Sequence, residues 1–208
     1  MARCVAGPQY GVMTGPASLG APGARARLRE ATAEVHEALH HLPAFEALLA
    51  GALPLGDYRA MMAKLHAYHG AALPICRAAD AAIGLEPAGW SSRERLARLA
   101  ADLAALGDAT PPDCPRLPHA DRAWNIGYAY VVRGSAIGGQ VLHRALASLL
   151  PDGAPGRGFF ALGAAERADW RRFCALLDAG LTPEELAPAA HGAHAAFAAF
   201  RTTMADPV

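Results

Sequence analysis

The stretch Tyr130-Val-Val-Arg-Gly134-Ser-Ala-Ile-Gly138-Gly139-Gln-Val-Leu142 places three glycines inside what otherwise reads as a strong amphipathic helix. Each interior glycine costs roughly 1 kcal/mol against alanine. The chain uses alanine freely elsewhere, so these glycines answer to something other than helix formation. Gly134 and Gly138 stand four residues apart, share one face and strip it of side chains. A bare face of this kind lets a flat ligand lie directly on the backbone, or lets a second helix approach closely in the small-xxx-small manner. The spacing by itself leaves both readings open.

About a hundred residues upstream lies Leu28-Arg29-Glu30-Ala31-Thr32-Ala33-Glu34-Val35-His36-Glu37-Ala38-Leu39-His40. Together, this segment and the glycine segment resemble the proximal and distal helices of the biliverdin-producing heme oxygenases, bacterial type. The similarity extends more loosely from about Arg25 to Met204. Landmarks in the right order are Asp57-Tyr58-Arg59, Tyr68-His69, Gly158-Phe159-Phe160 and Leu181-Thr182-Pro183. The resemblance implies an all-α, single-domain helical bundle with heme between a proximal helix and a glycine-kinked distal helix. Heme would be both substrate and oxygen-activating cofactor. Biliverdin, ferrous iron and carbon monoxide would be the products, with dioxygen and a small electron donor such as a ferredoxin or flavin reductase as partners.

A heme iron held between helices takes an axial nitrogen from one side, and neutral imidazole is the usual donor. The chain has nine histidines. His40 and His41 follow the first helix toward its end, His66 and His69 can line a helix interface, and His191 and His194 fall in an alanine-rich terminal helix. The resemblance singles out His36 as the axial ligand. Arg29 precedes it by two turns on the same helical face, roughly 10 Å along the axis, a reach that suits a propionate at the heme edge. Relatives usually carry lysine there, and an ordinary solvated arginine is the competing reading. Arg171 and Arg172 fall where the family places further propionate-binding residues, and the sequence does not say which points inward. On the distal side the resemblance assigns Gly134, Gly138 and Gly139 to the heme, with Gly134 and Gly138 as a low ceiling that steers dioxygen toward the ring edge. Ser135 stands where mammalian-type members often have aspartate; it can orient water but bears no charge. Proton delivery would then differ, using Arg133 or a wider water chain. His40 is a second departure, standing where some relatives have a carboxylate.

Two other classes compete. One is a non-catalytic heme-binding or heme-sequestering protein on the same fold, which Ser135 leaves open. The other is a bundle with a di-iron carboxylate site or thiaminase-like activity. The di-iron form needs a set of Glu-x-x-His ligands, and Glu37-Ala-Leu-His40 is the single one found.

Composition narrows the classes further. A chain of 208 residues favours one domain. Lys plus Arg equals Asp plus Glu at 19 each, so no bulk charge points to nucleic acid or an acidic membrane. Lys64 is the only lysine. Cys4, Cys76, Cys114 and Cys174 form no C-x-x-C pair, which argues against a zinc site or a disulfide scaffold and for reduced thiols. Gly7, Pro8, Gly11, Gly15 and Pro16 interrupt any signal-peptide core. With no run of eighteen apolar residues there is no membrane span, and the expected location is cytoplasmic.

The elements that must position these residues are helices. Residues 1–24 lack a helical period and read as a flexible tail, followed by one domain over 25–204. Leu28, Ala31, Val35, Leu39 and Leu42 give the first helix its stripe, which Pro43 should stop. Asp57 is a candidate cap for a long helix kinked at Pro74, and Ser91-Ser92-Arg93-Glu94 offers a capping box for the next. Thr110 to Pro118 is a connector. His119 to Leu150 reads as one helix interrupted at its glycines, Ala164 to Gly180 as another, and Thr182-Pro183-Glu184-Glu185 as a capping box opening the last.

Overall fold

The computed structural model describes residues 23–107 and 121–205, and its regular structure is entirely helical. In chain order these are α1 (Ala24–Ala31), α2 (Ala33–Leu39), α3 (Pro43–Leu49), α4 (Leu55–Ala82), α5 (Trp90–Ala105), α6 (Arg122–Ala145), α7 (Ala164–Gly180) and α8 (Leu186–Ala205). Short 3-10 turns occupy Leu146–Ser148, Gly158–Phe160 and Pro183–Glu185. The all-α bundle is the expected fold. The expected tail, the connector Thr110–Pro118, His119 and the cysteines Cys4 and Cys114 lie wholly or mostly outside the described residues.

Several elements differ from expectation in their bounds. The first helix is split at Thr32, whose hydroxyl donates to the Leu28 carbonyl at 2.7 Å, a back-bond that bends helices. Pro43 opens α3 instead of merely ending α2, because its missing N–H costs nothing at a first helical position. Helix α4 begins at Leu55, two residues before Asp57, and passes through Pro74 without ending. Ser91 and Ser92 are buried inside α5 instead of capping it. That helix starts after Gly89, whose left-handed φ of 71° suits glycine and whose N–H donates to Asp80 at 2.7 Å. Helix α6 is capped by Asp121, which accepts the Trp124 N–H at 2.8 Å, and runs unbroken through Gly127, Gly134, Gly138 and Gly139. The Thr182 box forms as expected, with the Glu185 carboxylate accepting the Thr182 N–H at 3.1 Å.

Two apolar clusters hold the bundle. One joins α4, α6, α7 and α8 through Ile75, Ile126, Tyr128, Phe173 and Leu177. The other joins α3, α4, α5 and the end of α6 through Leu48, Tyr58, Met62, Leu99 and Leu146. Each such side chain contributes roughly 1.5 to 3 kcal/mol when fully buried. Helices α6 and α8 make their closest approach at two glycines. A β-carbon on Gly127 would stand 1.8 Å from the Ala189 carbonyl oxygen, and one on Gly192 would stand 2.0 Å from that of Trp124. A buried charge brace ties α4, α6 and α7 together: Arg133 bonds Asp80 at 2.8 Å and also Asp169. Burial pushes the Asp80 carboxyl up to about 6 against the pull of Arg133. Among the described residues no helix is long and apolar enough to cross a membrane.

Candidate functional site

Helices α1 and α2 rest on α8, and so does α6, while α2 has no comparable packing on α6. The two segments singled out in the sequence therefore lie on helices that both pack on α8. Helix α3 packs on α6 beyond them, with Ala44 and Phe45 against the same cluster as Leu142 and Ala145.

On the α2 side, no residue of the helix is fully buried, and His36 is exposed. Its ring meets Phe197 of α8 edge-on, with centroids 6.1 Å apart, and His40 edge-on at 5.2 Å. Partial desolvation, then the neighbouring His40, lower its pKa from the ordinary histidine value, Glu37 opposing and Arg29 adding a little. That shift favours the neutral imidazole, the form that donates to a metal.

On the α6 side the glycines part company. Gly138 is exposed, and a β-carbon there would meet nothing within 4 Å. Its neighbours Ile137 and Val141 are 40% and 49% exposed, unusual for large apolar side chains in this molecule. Gly134 is half-buried, and its missing side chain makes room for Trp170 of α7, whose ring edge would lie 3.2 Å from an added β-carbon. Gly139, also expected at the ligand, is buried on another side of the helix, where an added β-carbon would meet Phe160 at 3.3 Å. Packing against Phe160 is reason enough for that glycine.

The exposed Ser135 hydroxyl donates to the Val132 carbonyl at 2.7 Å and accepts from Arg95 at 3.1 Å. Arg95 rises from α5, is buried, and lies over the Phe159 ring at 4.6 Å. Burial lowers its pKa to about 10, so it stays charged at neutral pH. The cation that reaches Ser135 is therefore Arg95 and not Arg133, which is consumed in the Asp80–Asp169 brace on the interior side.

At the edge, Arg29 is exposed and close enough to Tyr130 of α6 and to His36 to bear on both pKa values. A surface depression of about 580 Å³ runs beside it, lined by Arg25, Arg29, Ala33 and Asp178, but His36 and Gly138 do not line it. Arg172 donates to the Glu86 carbonyl at 3.1 Å, which turns it toward the α4–α5 loop. Arg171 is exposed and stands seven residues before Asp178, whose carboxylate holds the Arg25 N–H at 2.7 Å. Of the two arginines, Arg171 therefore shares the face of α7 that meets α1.

The match to known proteins covers nearly the whole described chain: the heme oxygenase family profile fits residues 23–206. The chain belongs to the heme oxygenase family. It is similar to a heme oxygenase of Xanthomonas campestris pv. campestris, 36% identical over 127 residues, which make up 61% of this chain and 76% of that one. Among solved structures it is similar to the NO- and CO-bound heme oxygenase of Neisseria meningitidis, with a TM-score of 0.72 and 25% identity over 88% of this chain and 91% of the other. The heme oxygenase of Leptospira interrogans shares the fold at a TM-score of 0.69 and 18% identity, over 88% and 98% of the two chains. That of Synechocystis, solved in complex with heme, shares it at 0.57 and 16%, over 88% and 91%.

Within this family member, the sequence reading missed Tyr130, Trp170 and Arg95 as neighbours of the expected site. Tyr130 opens the quoted glycine segment and Trp170 stands next to Arg171, and their rings lie 5.7 Å apart. An aromatic pair bridging the glycine helix and the Arg171 helix is a signal that neither segment carries alone. Arg95 offers no such signal, since the α5 repeat reads as a leucine stripe with solvated arginines.

Proposed function

We propose that the protein opens the heme ring oxidatively, in the cytoplasm, to biliverdin, ferrous iron and carbon monoxide, consuming dioxygen and electrons from a small donor such as a ferredoxin or flavin reductase. One domain over residues 25–204 carries the reaction. The observation that carries this reading is an exposed imidazole at His36, its pKa lowered toward the neutral form, together with an open, side-chain-free position at Gly138 on a second helix that also packs on α8. A flat metal-bearing ligand fits that pairing, and the exposed Ile137 and Val141 give its apolar face a partner. The heme bound by the Synechocystis relative and the gases bound by the Neisseria relative agree with it.

Bound heme supplies the iron at which dioxygen is activated. The residues hold it and control access. His36 would hold the iron through its imidazole. Gly138, without a side chain and in open space, would leave room for the ring. Ser135, its own proton committed to the Val132 carbonyl, presents an oxygen backed by the Arg95 charge, an arrangement that orients water without placing an acid over the metal. Arg29 and Arg171 are the cations free to meet propionates, while Arg172 is already engaged. Gly134 serves indirectly by admitting Trp170, and Gly139 by admitting Phe160.

The test is a hemin titration of the protein, anaerobic reduction, exposure to air and chromatography of the pigment. The expected result is loss of the Soret band with one biliverdin isomer formed. A Soret band that survives reduction under air marks a carrier and ends the catalytic reading.

A further inference from the structure

The proposed function uses only half of a pair on α2. His36-Glu37-Ala-Leu-His40 sets two imidazoles four residues apart, the spacing at which helical side chains lie one above the other. Both are exposed, their centroids are 5.2 Å apart, and their planes meet at 77°. A divalent metal bound at about 2.1 Å to one nitrogen of each ring, with a tetrahedral angle between them, puts the centroids about 5 Å apart. The centroid separation is therefore that of a chelate, and side-chain rotation from the edge-on contact would bring a nitrogen of each ring onto one metal. The Glu37 carboxylate favours a cation beside His36, Arg29 opposes it from two turns away, and Phe197 covers the His36 edge from α8. Among the described residues no third His, Cys, Asp or Glu joins them. The set is an open two-imidazole chelate with water completing the shell, short of the third protein ligand that a catalytic zinc in a His-Glu-x-x-His helix requires.

We propose that the heme-free protein binds a divalent transition metal of the imidazole-preferring class, such as Zn²⁺, between His36 and His40, and that this metal and heme exclude one another. The chelate stands on the geometry of α2. The exclusion rests on the proposed function, since it requires heme to take the same His36 nitrogen. Zinc and copper suit such a site better than the harder oxygen-seeking cations, so Mg²⁺ serves as the negative control.

The experiment is Zn²⁺ titration of the full heme-free chain by equilibrium dialysis, for wild type, His36→Ala, His40→Ala and the α4 control His66→Ala. The expected result is one tightest site in the wild type, weakened at least tenfold in His36→Ala and His40→Ala and unchanged in His66→Ala. Hemin titrated at increasing Zn²⁺ should then show an apparent dissociation constant rising as one plus the ratio of free Zn²⁺ to its own constant, with that dependence absent in His40→Ala. Wild-type Zn²⁺ affinity in His40→Ala overturns the chelate. Hemin and Zn²⁺ bound together by the wild type overturn the exclusion. An unchanged hemin spectrum in His36→Ala overturns the axial assignment and the exclusion with it, while the dialysis result still decides the chelate by itself.

Discussion

At Gly127 an added β-carbon would stand 1.8 Å from the Ala189 carbonyl oxygen, whereas at Gly138, further along the same helix, it would meet nothing within 4 Å. The two positions are eleven residues apart, about three turns, so they share nearly one azimuth on α6, with Gly134 between them. One face of one helix thus passes from closed by α8, to partly filled by the Trp170 indole, to open. Glycine at 127 and 192 is the close-contact kind: a neighbouring backbone leaves no room for a β-carbon. Glycine at 138 costs helix stability while a β-carbon there would meet no neighbour, as the proposed role at the ligand requires. Of the two explanations that the sequence left open for Gly134 and Gly138, the close helix contact is seen in α6 at Gly127, and the ligand face is the reading proposed for Gly138.

That contrast breaks most visibly at Gly127. Gly127→Ala gains about 1 kcal/mol in helix propensity and drives a methyl into a backbone carbonyl that cannot yield. Overpacking typically costs about 1 to 3 kcal/mol and occasionally more, and a backbone obstruction belongs at the upper end. The variant should lose about 3 kcal/mol or more in urea unfolding, and Gly192→Ala should behave alike. A Gly127→Ala protein as stable as wild type would show that α6 and α8 do not cross here.

Gly138→Leu should show the opposite pattern. The heme-free protein should melt at the wild-type temperature or slightly above, since leucine is the better helix former by somewhat under about 1 kcal/mol and the space is empty. Hemin binding or pigment formation should collapse. Destabilised heme-free protein with intact turnover would move Gly138 into the same class as Gly127.

The limits of the sequence follow from the same comparison. Helix content was legible because apolar residues recur every three or four positions, and α7 and the Thr182–Glu185 box fall where those patterns put them. The His36 and Gly138 segments were legible as motifs. What could not be read was which partner each side chain meets across the bundle. Gly127 and Gly192 are 65 residues apart in the chain, and nothing near either reports the other. Arg95 and Arg133 look interchangeable as letters, yet one reaches Ser135 and the other is spent on Asp80 and Asp169. Ser91 and Ser92 have the letters of a cap, but Asp80 captures the Gly89 N–H and moves the helix start past them.

Buried His69 of α4 should also carry a proton cost, larger than that of exposed His36. His69 is buried among Tyr68, Phe159 and Arg95, and burial first, then the Arg95 charge, hold its pKa well below the ordinary value. As pH falls through about 6.5 the unfolded chain takes up this proton and the folded chain does not, so stability is lost, with a slope of at most about 1.4 kcal/mol per pH unit. Asp80 works the other way: its folded pKa is raised from 3.8 to about 6, so it favours the folded state as pH falls through that window. The difference between wild type and His69→Asn, followed by urea unfolding from pH 7 to 5, isolates the histidine. Parallel curves for the two proteins would mean that His69 charges freely in the folded state.

Gly134 tests the intermediate case and should give the smallest effect. A β-carbon there would lie 3.2 Å from the tip of the Trp170 ring, closer than comfortable contact but against a side chain and not a backbone. Trp170 stacks on Phe173 with centroids 5.8 Å apart and tilts against Tyr130, so the indole has to slide by a few tenths of an ångström within an aromatic layer. The cost of that shift and the helix gain of about 1 kcal/mol oppose each other, and Gly134→Ala should change unfolding free energy by less than about 1 kcal/mol. The sign alone would not identify the cause, so the decisive measurement is a double-mutant cycle with Trp170→Leu. If the indole is what Gly134 accommodates, alanine at 134 should be distinctly better tolerated when Trp170→Leu is already present than in wild type, by about 0.5 kcal/mol or more, the usual lower bound for residues in contact. Additive effects would detach Gly134 from Trp170 and place it, with Gly138, on the open part of the face.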